Sequence, residues 1–259
     1  MKFGKIENRT DSSFYQEQME VRFCHCDPSH RMKMSELFRV MTNMADMAFE
    51  FRGMDHQYLM EREVVFLISQ VSVLVHRMPV QTDVIQVATW EEKTERARFL
   101  RNFCVWDAKT GETMVEASSS WMMVNPVNRT ILRPAQFMGT LYPMPEETSG
   151  APAFVRLRLS ETEEGVQKAG ERRIVYSDLD GNGHVDNARY IEMAADVLSE
   201  KMVESPLKTL QVVFNKETML GDTMELYSRE TPGGTFVKGA TDGKDNFICM
   251  LTFEEDGHA

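Results

Sequence analysis

The sequence predicts an α+β fold of two tandem units, each a long helix wrapped by an antiparallel sheet. Two segments of the 259-residue chain carry apolar residues at helical spacing. After each of them the apolar residues alternate with period two through four segments joined by short turns. Strands that follow one another through short turns form antiparallel sheet, whereas parallel sheets need a helix between strands.

The first helix is predicted at 35–52. Its apolar residues step by one, three or four positions, and Gly53 stands where a glycine often ends a helix. Strands are predicted at 71–76, 83–90, 97–107 and 112–125, with a hairpin turn at 107–111. The apolar residues of this helix are Leu37, Val40, Met41, Met44, Ala48 and Phe51.

The second helix is predicted at 187–204. Asp186 or Asn187 can cap its N-terminus and Pro206 follows its end. Strands are predicted at 209–217, 222–229, 235–241 and 247–254. The apolar residues of this helix are Ala188, Ile191, Ala195, Leu198 and Met202.

A proline-rich and then acidic stretch separates the two halves. Four of the nine prolines fall between Pro134 and Pro152, and a polar run follows at 160–165. We interpret 138–172 as a linker between an N-terminal unit at 1–137 and a C-terminal unit at 173–259.

The halves also align with each other. Residues 27–32 match residues 180–185 at an offset of 153, so that Asp27 corresponds to Asp180. Beyond the helix Asp83 and Asp222 match at an offset of 139, which places Met78 opposite Glu217. The polar residues that follow the aligned aspartates differ, because Ser29 corresponds to Asn182 and Arg31 corresponds to His184. The pattern indicates a duplication of a hotdog unit in which the second copy keeps a polar cluster.

Composition excludes several classes of protein. Lys plus Arg is 29 and Asp plus Glu is 40, giving a net charge of −11, which disfavours a broad nucleic-acid-binding face. There is no apolar run long enough to span a membrane and no apolar signal-peptide core at the N-terminus. Four cysteines are too few for a disulfide scaffold, so we expect reduced thiols and a cytoplasmic protein.

The polar cluster lies just before the second helix. Asp180, Asn182 and His184 are two residues apart in a loop loosened by Gly181 and Gly183. Backbone N–H groups at a helix N-terminus favour developing negative charge. A carboxylate, an amide and an imidazole at such a place suit acyl transfer or hydrolysis. The alternative is a polar loop that only caps the helix.

Two metal-site interpretations are weaker. The 180–186 loop is similar to a calcium loop, but the twelfth position from Asp180 is Ile191 where an EF-hand needs glutamate. Cys24 and Cys26 are separated by one residue, whereas zinc sites usually space cysteines by two to four. We expect no metal site.

The cluster resembles the Asn-x-His-Val-x-Asn-x-x-Tyr signature of the acyl-acyl-carrier-protein thioesterases of plants and bacteria. Further blocks of that family are matched in order along nearly the whole chain. They are residues 182–190 for the signature, 89–90 with 98–103, 117–125 with Arg129, and 213–217 for the strand that carries the family's glutamate.

The resemblance implies Asp180, Asn182, His184 and Glu217 as the catalytic set. It also implies hydrolysis of the thioester between a fatty acyl chain and acyl carrier protein, with neither metal nor organic cofactor. Plant members often carry a cysteine after the glutamate, and Thr218 stands there in this chain. Plant members also carry an organelle-targeting extension that this sequence lacks, so we expect a bacterial form.

Acyl carrier protein is acidic, so its binding by an acidic chain requires a local basic patch. The candidates are Arg129, Arg133, Lys168, Arg172 and Arg173. Part of the methionine-rich first helix, with Met41, Met44 and Met47, is a candidate acyl pocket because thioether side chains adapt to flexible ligands.

Three alternatives to the carrier-protein thioesterase stay open. They are a thioesterase for acyl-coenzyme A, a hotdog dehydratase, and a sensor that binds acyl thioesters without turnover. Monomer and homodimer are both compatible with a chain that carries two units.

Overall fold

The computed structural model describes residues 14–95, 98–133, 147–199 and 205–254. Within these residues the chain divides into two compact units. The first comprises the described residues up to Met32 together with Arg39–Pro152. The second comprises Lys33–Phe38 and the described residues from Ala153 onward.

The first unit contains a five-stranded antiparallel sheet in the order β1-β3-β4-β5-β2. The predicted hairpin is confirmed, because β4 pairs with β5 and the Asp107 side chain accepts two backbone N–H bonds inside the turn. The elements are β1 Phe14–Glu20, α1 Met34–Phe51 from Arg39 onward, α2 His56–Glu61, β2 Val65–Val75, β3 Val84–Glu95, β4 Arg98–Asp107 and β5 Thr113–Val124.

Helix α1 buries one stripe of its surface. Phe49 stacks on Phe66 of β2 with ring centroids 4.8 Å apart, which fixes the C-terminal half of the helix on the sheet. Phe51 was expected on the buried face, but it is exposed because the stripe runs through Phe49. The buried residues are Leu37, Phe38, Met41, Met44, Ala45, Ala48 and Phe49.

The second unit repeats this topology. Its antiparallel sheet has the order β6-β8-β9-β10-β7, which is the order of the first unit with each strand number raised by five. The elements are β6 Gln167–Arg173, α3 Asn187–Asp196, β7 Leu207–Phe214, β8 Thr223–Thr231, β9 Gly234–Thr241 and β10 Lys244–Phe253.

Helix α3 begins as predicted and ends earlier. Asp186 caps it by accepting the Ala188 N–H, and Tyr190 packs against Phe214 and Phe247 of the sheet. The helix was predicted to reach residue 204, but it ends at Asp196. The backbone leaves the helical conformation at Val197, where β-branching restricts the side chain. Residues 200–204 lie outside the described part.

The predicted linker at 138–172 is more structured than its composition indicates. Strand β6 occupies its last residues and pairs with β8 on one edge only, so its side chains stay polar and exposed. Leu157 and Leu159 are buried. The Ser72 hydroxyl donates to the Pro152 carbonyl within the first unit. Residues 134–146, with three of the four prolines, lie outside the described part.

No helix among the described residues is both long enough and apolar enough to cross a membrane.

Candidate active site

The candidate site is built on a tight loop between a short 3-10 turn at Tyr176–Asp178 and helix α3. The Asp180 N–H donates to the His184 carbonyl at 2.8 Å, and the Gly183 N–H donates to the Asp180 carbonyl at 3.1 Å. Gly183 has a φ of 79°, a conformation that glycine adopts without steric cost. The loop therefore folds back on itself within five residues.

The Asp180 side chain closes this loop. Its Oδ1 accepts the backbone N–H groups of Asn182 at 2.8 Å and His184 at 3.1 Å. These two bonds fix the carboxylate and make it an acceptor for the local backbone, as aspartate does in turns. The second oxygen, Oδ2, takes no part in them.

Glu217 is brought to the loop by main-chain pairing across the sequence. The Val185 N–H donates to the Thr218 carbonyl at 3.0 Å, and His184 forms an isolated β-bridge with Met219. The His184 Nε2 lies 3.7 Å from the Glu217 Oε2. The two side chains are 26 % and 34 % exposed, so the pair can be reached from solvent.

Tyr190 lies close to both carboxylates. Burial raises the pKa of Tyr190 to about 12, hydrogen bonds with Thr218 act in the opposite direction, and the charges of Glu217 and Asp180 raise it further. Both carboxylates therefore act on the charge state of one phenol. Tyr190 remains protonated at neutral pH.

An ion cluster around a buried aspartate lies next to the loop in the chain. Asp178 is fully buried and lies 2.6 Å from an Arg172 guanidinium nitrogen and 3.8 Å from Arg189 Nε. Its carbonyl accepts the Asp186 N–H, which joins it to the helix cap. Asp178 was not singled out in the sequence analysis. The sequence feature that could have identified Asp178 is its position, two residues before Asp180 and shortly after a strand that carries arginines.

The first unit contains the same loop frame. The Asp27 Oδ1 accepts the N–H groups of Ser29 at 2.9 Å and Arg31 at 3.0 Å, and the Asp27 N–H donates to the Arg31 carbonyl at 2.8 Å. His30 has a φ of 59°, corresponding to Gly183. Arg31 forms an isolated bridge with Val80, which corresponds to the bridge of His184 with Met219. These correspondences match the sequence offsets of 153 and 139.

The chemistry of the two loops differs although the frame is shared. Arg31 stands where the second unit has His184, and its Nε lies 3.5 Å from Asp27 Oδ2. Ser29 replaces Asn182 and Met78 replaces Glu217. The first unit therefore has no imidazole at the position of His184 and no carboxylate at the position of Glu217.

The candidate carrier-protein contacts fall into two groups. Lys168 pairs with Glu171 and Glu225, and Arg172 pairs with Asp178 and Asp196, so carboxylates of the same unit offset their charge. The other three candidates, Arg129, Arg133 and Arg173, are exposed.

The candidate acyl-pocket methionines differ in their exposure to solvent. Met41 and Met44 are buried in the first unit. Met47 is 37 % exposed, because it lies three residues after Met44 where the buried stripe continues through Ala48 instead. Met47 is therefore not on the buried face of α1, and its place in an acyl pocket stays a prediction.

The second unit thus brings the His184 imidazole to the Glu217 carboxylate and holds Asp180 and Asn182 in the same loop before α3. These residue types can activate water and stabilise an oxyanion. The architecture of each unit is the predicted hotdog arrangement. Two family models match the chain: the acyl-ACP thioesterase N-terminal domain at residues 12–136 and the C-terminal domain at residues 161–256. The chain belongs to the acyl-ACP thioesterase family.

Curated relatives match at low identity. A palmitoyl-acyl carrier protein thioesterase of Arabidopsis thaliana is 27 % identical over 173 residues, which cover 61 % of this chain and 40 % of that protein. The chain thus spans less than half the length of this relative. An oleoyl-acyl carrier protein thioesterase of the same plant is 20 % identical over 99 % of this chain and 77 % of its own length.

Solved structures show the same fold. An acyl-ACP thioesterase from Bacteroides thetaiotaomicron has a TM-score of 0.81 at 24 % identity, covering 93 % of this chain and 98 % of that one. The 12:0-ACP thioesterase from Umbellularia californica also has a TM-score of 0.81, at 16 % identity and with 93 % and 97 % coverage. Family and fold therefore agree with the site geometry.

Proposed function

We propose that this protein hydrolyses the thioester of fatty acyl-acyl carrier protein, releases the free fatty acid and so terminates fatty acid synthesis. The observation that carries the proposal is the loop at 180–184, which fixes Asp180 and places the His184 imidazole 3.7 Å from Glu217 beside a helix N-terminus. Family membership gives the substrate class, and its named relatives act on acyl carrier protein substrates.

The reaction adds one water across the C–S bond. Oxygen bonds to the carbonyl carbon, the C–S bond breaks, the product acid keeps the oxygen and the thiol of the carrier protein takes a proton. Asp180 Oδ2 is the group for the first step, either by removing a proton from water or by attacking the carbonyl itself. The second mechanism forms an anhydride between Asp180 and the fatty acyl group, which water then hydrolyses.

The remaining groups handle charge and protons. The Asn182 amide and the backbone N–H groups at the start of α3 stabilise the oxyanion. His184 donates the proton that the leaving thiolate requires, and Glu217 stabilises the imidazolium that precedes this donation. The 3.7 Å separation exceeds a hydrogen bond, and catalytic bonds of this kind often shorten when substrate binds.

The first unit is proposed to be non-catalytic, because its loop has Arg31 and Met78 in place of the imidazole and the carboxylate. Met41 and Met44 are proposed to line an acyl-binding cavity within it. Docking of the carrier protein is assigned to the basic residues Arg129, Arg133, Lys168, Arg172 and Arg173.

The test is release of free acid from a panel of acyl chains carried on acyl carrier protein and on coenzyme A, with wild type and Asp180→Ala. Rapid release from the carrier-protein substrates, abolished in the folded variant, supports the proposal. Preference for coenzyme A would make the protein an acyl-CoA thioesterase. Dehydration of 3-hydroxyacyl substrates would indicate a dehydratase, and binding without release would indicate a sensor.

A cytoplasmic location is part of the proposal. All four cysteines are free thiols, and three of them are buried, which suits a reducing compartment. Fractionation of cells that express the protein checks the location.

A further inference from the structure

A hydrogen-bonded chain of side chains lies directly behind Glu217. Lys216 Nζ donates to Thr241 Oγ1 at 3.3 Å, and Thr241 Oγ1 donates to Asn246 Oδ1 at 2.9 Å. Asn246 Nδ2 then donates to Thr218 Oγ1 at 2.8 Å. The orientation of the Asn246 amide follows from its main-chain partners, because the Lys216 and Glu217 carbonyl oxygens near Nδ2 can only accept. The amide nitrogen of Asn246 therefore faces Thr218, and its oxygen faces Thr241.

Thr218 joins this chain to the catalytic helix. The Tyr190 hydroxyl, on α3, donates to Thr218 Oγ1 at 2.9 Å. Thr218 is 0 % exposed, so its hydroxyl cannot touch a substrate and acts within the protein alone. Two buried donors share this single oxygen, and each would lose this hydrogen bond if it were removed.

The same network holds the main chain around Glu217. Asn246 Nδ2 lies 3.3 Å from the Glu217 carbonyl and 3.4 Å from the Lys216 carbonyl. On the other side, the Thr218 carbonyl accepts the Val185 N–H at 3.0 Å. The backbone that carries Glu217 is therefore tied to strand β10 and to the residue after His184.

We propose that Thr218 and Asn246 are positioning residues that hold the Glu217 carboxylate against His184. This inference rests on the proposed function, and it extends the site by two buried residues that contact no substrate. Their contribution is geometric, since a displacement of about 1 Å in a catalytic group can lower the rate by about a hundredfold.

The test compares Thr218→Val, which keeps the volume and removes the hydroxyl, with Thr218→Ser, which keeps the hydroxyl. Thr252→Val is the matched control, because it removes a hydroxyl bond to Thr209 at 2.6 Å in the same unit. We expect Thr218→Val to lower kcat by about tenfold to a hundredfold with KM changed less than about twofold. Thr218→Ser and Thr252→Val should retain kcat within about threefold.

A second readout does not depend on turnover. Amide hydrogen exchange at Val185 should accelerate in Thr218→Val and stay unchanged in Thr252→Val, because only the first variant loosens the backbone that accepts the Val185 N–H. The proposal is overturned if folded Thr218→Val keeps wild-type kcat, or if Val185 exchange does not change. A wild-type protein without hydrolysis would instead refute the proposed function, and the exchange measurement would still decide the positioning role.

Discussion

Substituting Asp27 and Asp180 separately by alanine isolates catalysis from folding, because the two carboxylates make the same hydrogen bonds in corresponding loops. Each Oδ1 accepts two backbone N–H groups, at 2.9 and 3.0 Å for Asp27 and at 2.8 and 3.1 Å for Asp180. Alanine at either position leaves two donors without their acceptor.

The structural cost of the two variants should therefore be similar. The loss of side-chain acceptors for backbone N–H groups in a partly exposed turn costs about 1–2 kcal/mol. Each variant should unfold at a melting temperature a few degrees below wild type. Activity should separate them. Asp180→Ala removes the proposed base or nucleophile and should lower kcat/KM by at least about a thousandfold, whereas Asp27→Ala should stay within about threefold.

The assay is release of free acid from acyl-acyl carrier protein, with thermal unfolding followed on the same samples. A loss of activity in folded Asp27→Ala comparable to that of Asp180→Ala would refute the assignment of the first unit as non-catalytic. Retention of more than about a tenth of the activity by Asp180→Ala would refute the role of Asp180.

Three further predictions test the core, the thiols and the reaction course. Glu91→Gln leaves the buried Arg101 and Arg52 guanidiniums, each 2.7 Å away, without their carboxylate, and should lower the free energy of unfolding by about 3–5 kcal/mol. The exposed-pair control Glu171→Gln should cost under about 1 kcal/mol in the same urea titration. Only Cys24 should react with an aromatic disulfide in the native protein, and all four thiols after unfolding. In a single turnover in ¹⁸O-water, label in the protein at Asp180 would establish nucleophilic attack through an anhydride that water opens at its aspartyl carbon. Label in the fatty acid alone is the result expected of general-base catalysis, and also of an anhydride opened at its fatty-acyl carbon.

Apolar periodicity predicted the helices and strands that bury an apolar face. It did not predict a strand that buries few side chains. The starts of helices α1 and α3, and eight strands, follow from spacing alone because each places a continuous stripe against the core. Strand β6 was assigned to the linker because an edge strand with an exposed, charged surface shows no alternation. The first residues of β2 were missed because Phe66, Leu67 and Ile68 form an unbroken apolar run.

The candidate site was predictable only in its local part. Asp180, Asn182 and His184 lie within five residues, so their proximity follows from the sequence itself. Glu217 was assigned through the family resemblance, since strand alternation alone cannot distinguish it from a solvent-facing residue. Asn246 was not anticipated, because its role depends on contact with Thr218, which lies 28 residues earlier in the chain.

The duplicated loop separates what aspartate does for the fold from what it does for the reaction. Both units keep the carboxylate whose Oδ1 closes the loop, although only the second keeps the imidazole and Glu217. An aspartate that persists beside Arg31 and Met78 has a structural reason to be there, and its presence alone does not indicate catalysis. In the proposed function, catalysis in the second unit depends on the groups that differ between the copies, acting with Asp180 Oδ2. Asp180 would then serve two functions through two atoms: Oδ1 holds the loop, and Oδ2 is presented to the thioester.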